Sequence, residues 1–262
     1  MSNLPSLAIY SDSWADPLVR DPSEMDNKAW SEMLSDEYNV TNFARGGTSI
    51  YYSYQKFLET YKDFDKIIFV VTDYYRWFHL VNTPLIKSPW GDFNHSFAGP
   101  GMIEYWRKDP MFKKHIDTEL SLKFDALEKY FGYLNDSEFD KTICNLMLND
   151  VHNKRPDTIF IQGGIFPEFF PLIKNETALA QFAMRWIKNW PDREKEVKDG
   201  YGFFPWKEAR TICHFSKEVN LAILKCIKES LKIGKWDPII PDFIPAEHND
   251  FNYYYDYNTR IW

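Results

Sequence analysis

The chain predicts an α/β fold, a three-layer α/β/α sandwich around a mostly parallel, flavodoxin-like sheet. Three observations carry that prediction. Residues 1–75 alternate strand, helix, strand, helix, strand, the order that parallel strands joined by right-handed crossovers require. Lys66-Ile67-Ile68-Phe69-Val70-Val71-Thr72 is a continuous β-branched run without polar alternation, as in a strand covered on both faces. Thr158-Ile159-Phe160-Ile161-Gln162 repeats that character farther on and stops at Gly163-Gly164.

The elements follow in order. Leu7-Ala8-Ile9-Tyr10 is a short apolar run entering a polar turn at Ser11-Asp12-Ser13. Ala29 to Tyr38 sets Trp30, Met33, Leu34 and Tyr38 on one helical stripe. Val40-Thr41-Asn42-Phe43 is a second strand, broken by Gly46-Gly47. Tyr51, Tyr54, Gln55, Leu58 and Tyr61 keep helical spacing and lead into the 66–72 strand. Leu80 to about Asp117 is irregular, rich in Pro, Gly and Trp, and reads as an insertion over one rim of the sheet. Thr118 to Asn153 reads as two helices broken near Asn135-Asp136. Phe166 to Pro171 and Gly200 to Trp206 are aromatic loops, suited to core or interface packing or to a sugar platform. Ser216 to Leu231 is a helix with Ser216 at its N-cap and Val219, Ile223, Cys226 and Ile227 as its stripe. The expected organisation is one domain over residues 1–234 and an aromatic tail over 235–262. That tail interleaves rings with acidic side chains and is expected to pack on its own domain or on a second copy.

Composition narrows the function classes. A chain of 262 residues, 44% hydrophobic and 26% charged, suits one medium domain or two small ones and excludes a disordered or fibrous protein. No apolar run approaches the roughly 18 residues of a membrane span. A net charge of −7 argues against a protein that tracks nucleic-acid phosphates. The 3 cysteines are irregularly spaced and offer neither a disulfide framework nor a zinc site. Asn39, Asn135 and Asn175 open glycosylation sequons, but the N-terminus has no basic, apolar leader. The expectation is a chain that folds in the cytosol.

Active sites of open parallel sheets form beyond the carboxyl ends of the strands. Four blocks lie there: Ser11 to Asp16, Asn42 to Ser49, Thr72 to Arg76, and His214 just before the last helix. They resemble the SGNH/GDSL hydrolase superfamily. The family's Gly-Asp-Ser is Ser11-Asp12-Ser13 here, its Asn-x-Gly-x-x-Gly aligns with Asn42-x-Ala44-x-x-Gly47, and its final-block His is matched by His214. The resemblance spans about residues 5 to 230. The resemblance over Tyr38-Asn39-Val40-Thr41-Asn42-Phe43, and then over Ser49 to Tyr54, is to SGNH-type proteins of phage and bacterial genomes, which in one reading carries the chain into a phage virion with its tail on a virion partner. It implies acyl transfer, with Ser13 as nucleophile and His214 as the base that takes its proton. The N–H groups of Ser13 and Gly47 would hold the oxyanion, with Asp73 in the third block and Asn42 beside them. An ester is implied as substrate, with an O-acetylated carbohydrate suggested by family breadth and aromatic content. No cofactor and no metal is expected.

Two positions depart from the family pattern. The Asp expected three residues before the His is Thr211, which leaves Glu208 or a backbone carbonyl to orient His214. The third-block Asn is Asp73, or Thr72 if the register slips by one. An ionised Asp only accepts hydrogen bonds, and losing one oxyanion donor costs about 2.7–4 kcal/mol in the barrier. These departures favour a rival: a non-catalytic SGNH-like module, a structural or receptor-facing part of a phage particle. A second rival transfers an acyl group or a sugar with the same dyad. Taken singly, Ser13 reads as a cap, Gly46-Gly47 as a turn and His214 as a helix-start residue. Asp12 and Asp16 with Asp73 invite a metal, yet no His-x-His or HExxH pattern accompanies them. Cys213 reads as a buried structural thiol, and His79, His95, His115, His152 and His248 as surface or loop residues.

Overall fold

The computed structural model describes residues 4–17, 28–72, 74, 84–88, 91–94, 103–104, 107–108, 113–114, 116–163, 178–179, 217–236 and 238. In chain order these form β1 (Ser6–Tyr10), α1 (Trp30–Met33), β2 (Asn39–Asn42), α2 (Ile50–Thr60), β3 (Lys66–Val71), β4 (Pro84–Ser88), β5 (Gly91–Asn94), α3 (Thr118–Tyr133), α4 (Ser137–Lys154), β6 (Ile159–Gln162) and α5 (Lys217–Ile233). Short 3-10 turns, Leu34–Asp36 and Tyr61–Asp63, follow α1 and α2. The fold is α/β, built on a four-stranded sheet in the order β2-β1-β3-β6. Every pairing in that sheet is parallel. This is the order of the first four strands of a flavodoxin-like sheet, whose direction of propagation reverses at β1.

Alternate residues of each strand supply two cores. Leu7, Ile9, Ile68, Val70, Ile159 and Ile161 face one side, where Trp30, Leu34 and the α5 residues Ile223, Cys226 and Ile227 cover them. Ala8, Tyr10, Ile67, Phe69, Val71 and Phe160 face the other, under Ile50 and Phe57 of α2 and Cys144, Leu148 and Val151 of α4. This two-sided burial is why the strands read as unbroken apolar runs. The switch of faces between α1 and α2 follows from right-handed crossovers. The chain steps outward from β1 to β2 and back across β1 to β3, so the two helices land on opposite sides. Hydrogen bonds lock each layer: Trp30 N–H donates to Asn220 Oδ1 at 2.9 Å between α1 and α5, and Tyr54 Oη to Asp150 Oδ2 at 2.9 Å between α2 and α4.

Several ends differ from the sequence reading. The helix expected from Ala29 to Tyr38 is one α-turn continued by a 3-10 turn, with Trp30 and Leu34 buried as expected. The centre of α2's inner face is Ile50, Ser53 and Phe57, while the Tyr51, Tyr54, Leu58 and Tyr61 stripe flanks it half-buried. The break between the paired helices is made by Asp136, whose Oδ1 accepts from Glu138 N at 2.9 Å and caps α4. Part of the stretch read as irregular is an antiparallel hairpin, β4 with β5. Its strands are too short to show a period, and Pro84 and Gly91 read as breakers rather than strand ends.

Candidate functional site at the carboxyl ends of β1 and β3

The strand order reverses between β1 and β3, and in open parallel sheets ligands bind beyond the carboxyl ends of the strands at such a point. The chain leaves β1 through Ser11 and Asp12, both with no exposed surface, and then turns. Ala15 N–H donates to Asp12 O at 3.4 Å and closes the turn. The Asp12 carboxylate fixes it from within, its Oδ1 accepting from Trp14 N at 3.2 Å and its Oδ2 from Thr72 Oγ1 at 2.7 Å. Ser13 rides on that turn, half-buried.

The loop after β2 is fastened to the same turn. Asn42 Nδ2 donates to Ala15 O at 2.8 Å while its Oδ1 accepts from Ala44 N at 2.9 Å. Gly46 N–H donates to Asp16 Oδ2 at 2.7 Å, and Arg45 N–H to Ser11 O at 3.2 Å. Gly47 then takes φ 74°, in the left-handed region where a side chain is disfavoured, and α2 begins three residues later. Ser13 and Gly47 therefore belong to two loops riveted into one unit. Asn42 serves that unit as a clamp between backbones.

A third strand end is tied in by an aromatic ring. Gly163 N–H donates to Val71 O at 2.8 Å and so prolongs the β3–β6 ladder. A methyl group at Gly163 would sit 2.7 Å from Trp14 Nε1 and 2.9 Å from Trp14 Cγ. The indole of Trp14 thus lies directly against the Gly163 backbone, and Trp14 O accepts from Trp30 Nε1 at 3.0 Å.

Of the residues singled out in the sequence, the structure brings Ser13, Asn42 and Gly47 to one edge. Asp73 and His214 lie outside the described residues, as do Thr211, Glu208, Cys213 and the aromatic loops 166–171 and 200–206. Asp12 and Asp16, weighed above as metal ligands, hold Thr72 Oγ1 and backbone N–H groups. Among the described residues no group of three or more His, Cys, Asp or Glu could hold a metal ion. His152, read as a surface or loop residue, is half-buried within α4, its ring 6.3 Å from that of Phe160. Cys144 and Cys226 are buried, and burial pushes both thiols above the ordinary range, Cys226 to about 11, so neither is poised as a thiolate. The contributions of Asp16, Thr72 and the Trp14–Gly163 contact were not visible beforehand. Only the placement of their loops at strand ends hinted at them.

No family model matches the chain, and neither a curated protein nor a solved structure matches it. Among the described residues no helix is long and apolar enough to cross a membrane.

Proposed function

We propose that the chain is a serine ester hydrolase of the SGNH type that acts on an O-acetylated carbohydrate at the carboxyl ends of β1 and β3. The observation that supports this best is the riveting of the Ser13 turn to the Gly47 loop through Asp16 and Asn42. A nucleophile and a backbone oxyanion donor must keep a fixed separation while charge develops, and rigidly paired loops supply that. Ser13 Oγ attacks the acetyl carbonyl while His214 accepts the hydroxyl proton. The carbonyl oxygen becomes an oxyanion held by the N–H groups of Ser13 and Gly47. Collapse expels the sugar alkoxide, which takes the proton from His214. Water, deprotonated by the same imidazole, then attacks the acetyl-serine and releases acetate. Against p-nitrophenyl acetate, Ser13→Ala is expected to abolish turnover and Asp73→Asn to raise it by restoring an amide donor. Turnover that Ser13→Ala leaves intact would remove Ser13 as nucleophile. A slower Asp73→Asn variant would give Asp73 a task of its own.

A second reading is favoured by one specific observation, the acidic Asp73 where an oxyanion donor is needed. In it the chain keeps the fold without turnover, as a structural or receptor-facing module of a phage particle. A parent protein inert toward activated esters and toward acetylated sugars, with an Asp73→Asn variant equally inert, is the outcome that selects it.

A further inference from the structure

The loop after β2 pairs its backbone N–H groups from Phe43 to Thr48 with one exception. Phe43 N–H donates to Ile9 O at 2.8 Å, Ala44 N–H to Asn42 Oδ1 at 2.9 Å and Arg45 N–H to Ser11 O at 3.2 Å. Gly46 N–H donates to Asp16 Oδ2 at 2.7 Å, and Thr48 N–H to Arg45 O at 3.3 Å. Among the described residues the N–H of Gly47 meets no acceptor, and Gly47 is half-buried, with surface left to a ligand. A loop that satisfies each neighbouring donor and leaves this one holds it ready for an acceptor from outside.

The peptide that precedes that donor is gripped at both ends. Arg45 O accepts from Thr48 N–H and, at 2.8 Å, from Thr48 Oγ1, while Gly46 N–H lies on the Asp16 carboxylate. Gly46 and Gly47 have no Cβ to limit rotation about the next peptide, so the direction of the Gly47 N–H depends on this frame. Asn42 grips other groups, Ala44 N–H and Ala15 O. Thr48 belongs to the loop itself, whereas Asp16 comes from the chain that carries Ser13. We propose that Asp16 is a positioning residue for ester hydrolysis: acting through Gly46, it sets the direction of the Gly47 N–H relative to Ser13. The proposal rests on the hydrolase reading and adds to it the group that aligns nucleophile and oxyanion donor.

The test measures kcat and KM of the full chain on p-nitrophenyl acetate for the parent, Asp16→Ala, Asp16→Asn, Gly46→Pro and the double variant of Asp16→Ala with Gly46→Pro. Proline deletes the N–H that Asp16 accepts, and Gly46 does not have the positive φ that proline is unable to adopt. Asp16→Ala is expected to lower kcat about a hundredfold with KM changed by less than about twofold, because a misdirected donor is felt where the oxyanion forms. Asp16→Asn should recover most of the loss, since an amide oxygen accepts from the same N–H. Gly46→Pro should match Asp16→Ala, and the double variant should fall no further, because both remove one bond. The cycle isolates the Gly46 contact from any other that Asp16 makes. A kcat that Asp16→Ala leaves intact, a loss confined to KM, or additive losses in the double variant would overturn the proposal and leave Ser13 as nucleophile. Should Gly46→Pro fail to fold, the recovery by Asp16→Asn over Asp16→Ala, read in kcat against KM, still decides it. A parent without turnover, or turnover that Ser13→Ala leaves intact, overturns the hydrolase reading and takes the proposal with it.

Discussion

Asp12 has no exposed surface, and its two carboxylate oxygens join the ends of two strands through Trp14 N–H and Thr72 Oγ1. A buried carboxyl group is tolerated only where hydrogen bonds replace its water, so each donor offsets part of the desolvation cost. Thr72→Val keeps shape and removes the hydroxyl, and it is expected to lower stability by about 1–3 kcal/mol in urea unfolding, with Thr72→Ser recovering most of it. Tyr10 presents another case, a neutral group that the fold keeps neutral. Its ring is stacked on Phe43 at 5.1 Å and its Oη is paired with Thr60 Oγ1 at 2.8 Å. Burial raises its pKa to about 12, and burial with the neighbouring Asp150 raises Tyr54 likewise to about 12. An unfolded tyrosine ionises near 10, so the unfolded chain releases these protons first. The contribution is complete below about pH 10 and is lost as pH rises from about 10 to 12. Tyr10→Phe is therefore expected to flatten the fall of denaturant midpoint with pH across that window, while Tyr54 maintains a residual slope.

Arg155 does at the opposite edge of the sheet what Asp12 does at the site. It follows α4 and precedes β6, and its Nη1 donates to Tyr61 O at 2.7 Å and Phe64 O at 2.9 Å. Its Nη2 reaches Asp65 O at 3.3 Å, and Asp157 receives both Nε and Nη2 at 2.9 Å. One guanidinium thus ties the α4–β6 connection to the α2–β3 connection, with Asp157 orienting the fork. Arg155→Ala leaves those carbonyls without their donor and is expected to cost about 2–3 kcal/mol in chemical denaturation. Arg155→Lys should restore little, because an ammonium cannot span several acceptors in one plane. Elements of this kind differ in how much of them a sequence displays. β1, β3 and β6 were legible because burial on both faces forces an apolar, β-branched run. Ser13, Asn42 and Gly47 were legible as residues at strand ends. The inner face of α2 was displaced by Ser53, a polar residue in a buried position, and the 84–94 hairpin was hidden because pairing of backbones leaves little mark on such short strands. Asp16 on Gly46 and Trp14 on Gly163 are contacts between residues far apart or in different loops, and they carry no local pattern.

At the scale of the molecule, the chain closes on its first elements. α5 packs beside α1 over the face that holds Leu7 and Ile9, with Lys228 Nζ 2.6 Å from Glu37 Oε1 at its rim. Gly234 ends α5 at φ 76°, its N–H donating to Ser230 O at 2.8 Å, the left-handed stop that turns the backbone out of a helix. The turn sends Trp236 back onto the same core, where it packs partly buried. The aromatic segment expected from Lys235 onward therefore starts as a cover on the sheet's own face, whatever residues 239–262, which lie outside those described, contribute to assembly. Two truncations separate the roles. A chain cut after Gly234 loses Trp236, and a chain cut after Pro238 keeps it. The shorter chain is expected to be less stable than the longer by about 1–2 kcal/mol for the ring surface it no longer buries. In a domain of this size that is a melting temperature lower by about 2–6 °C. If residues 239–262 bind a second copy, the solution mass falls equally in both truncations relative to the full chain, without a matching loss of melting temperature between them. Equal melting temperatures for the two truncations would show that Trp236 adds nothing to the core on which it rests.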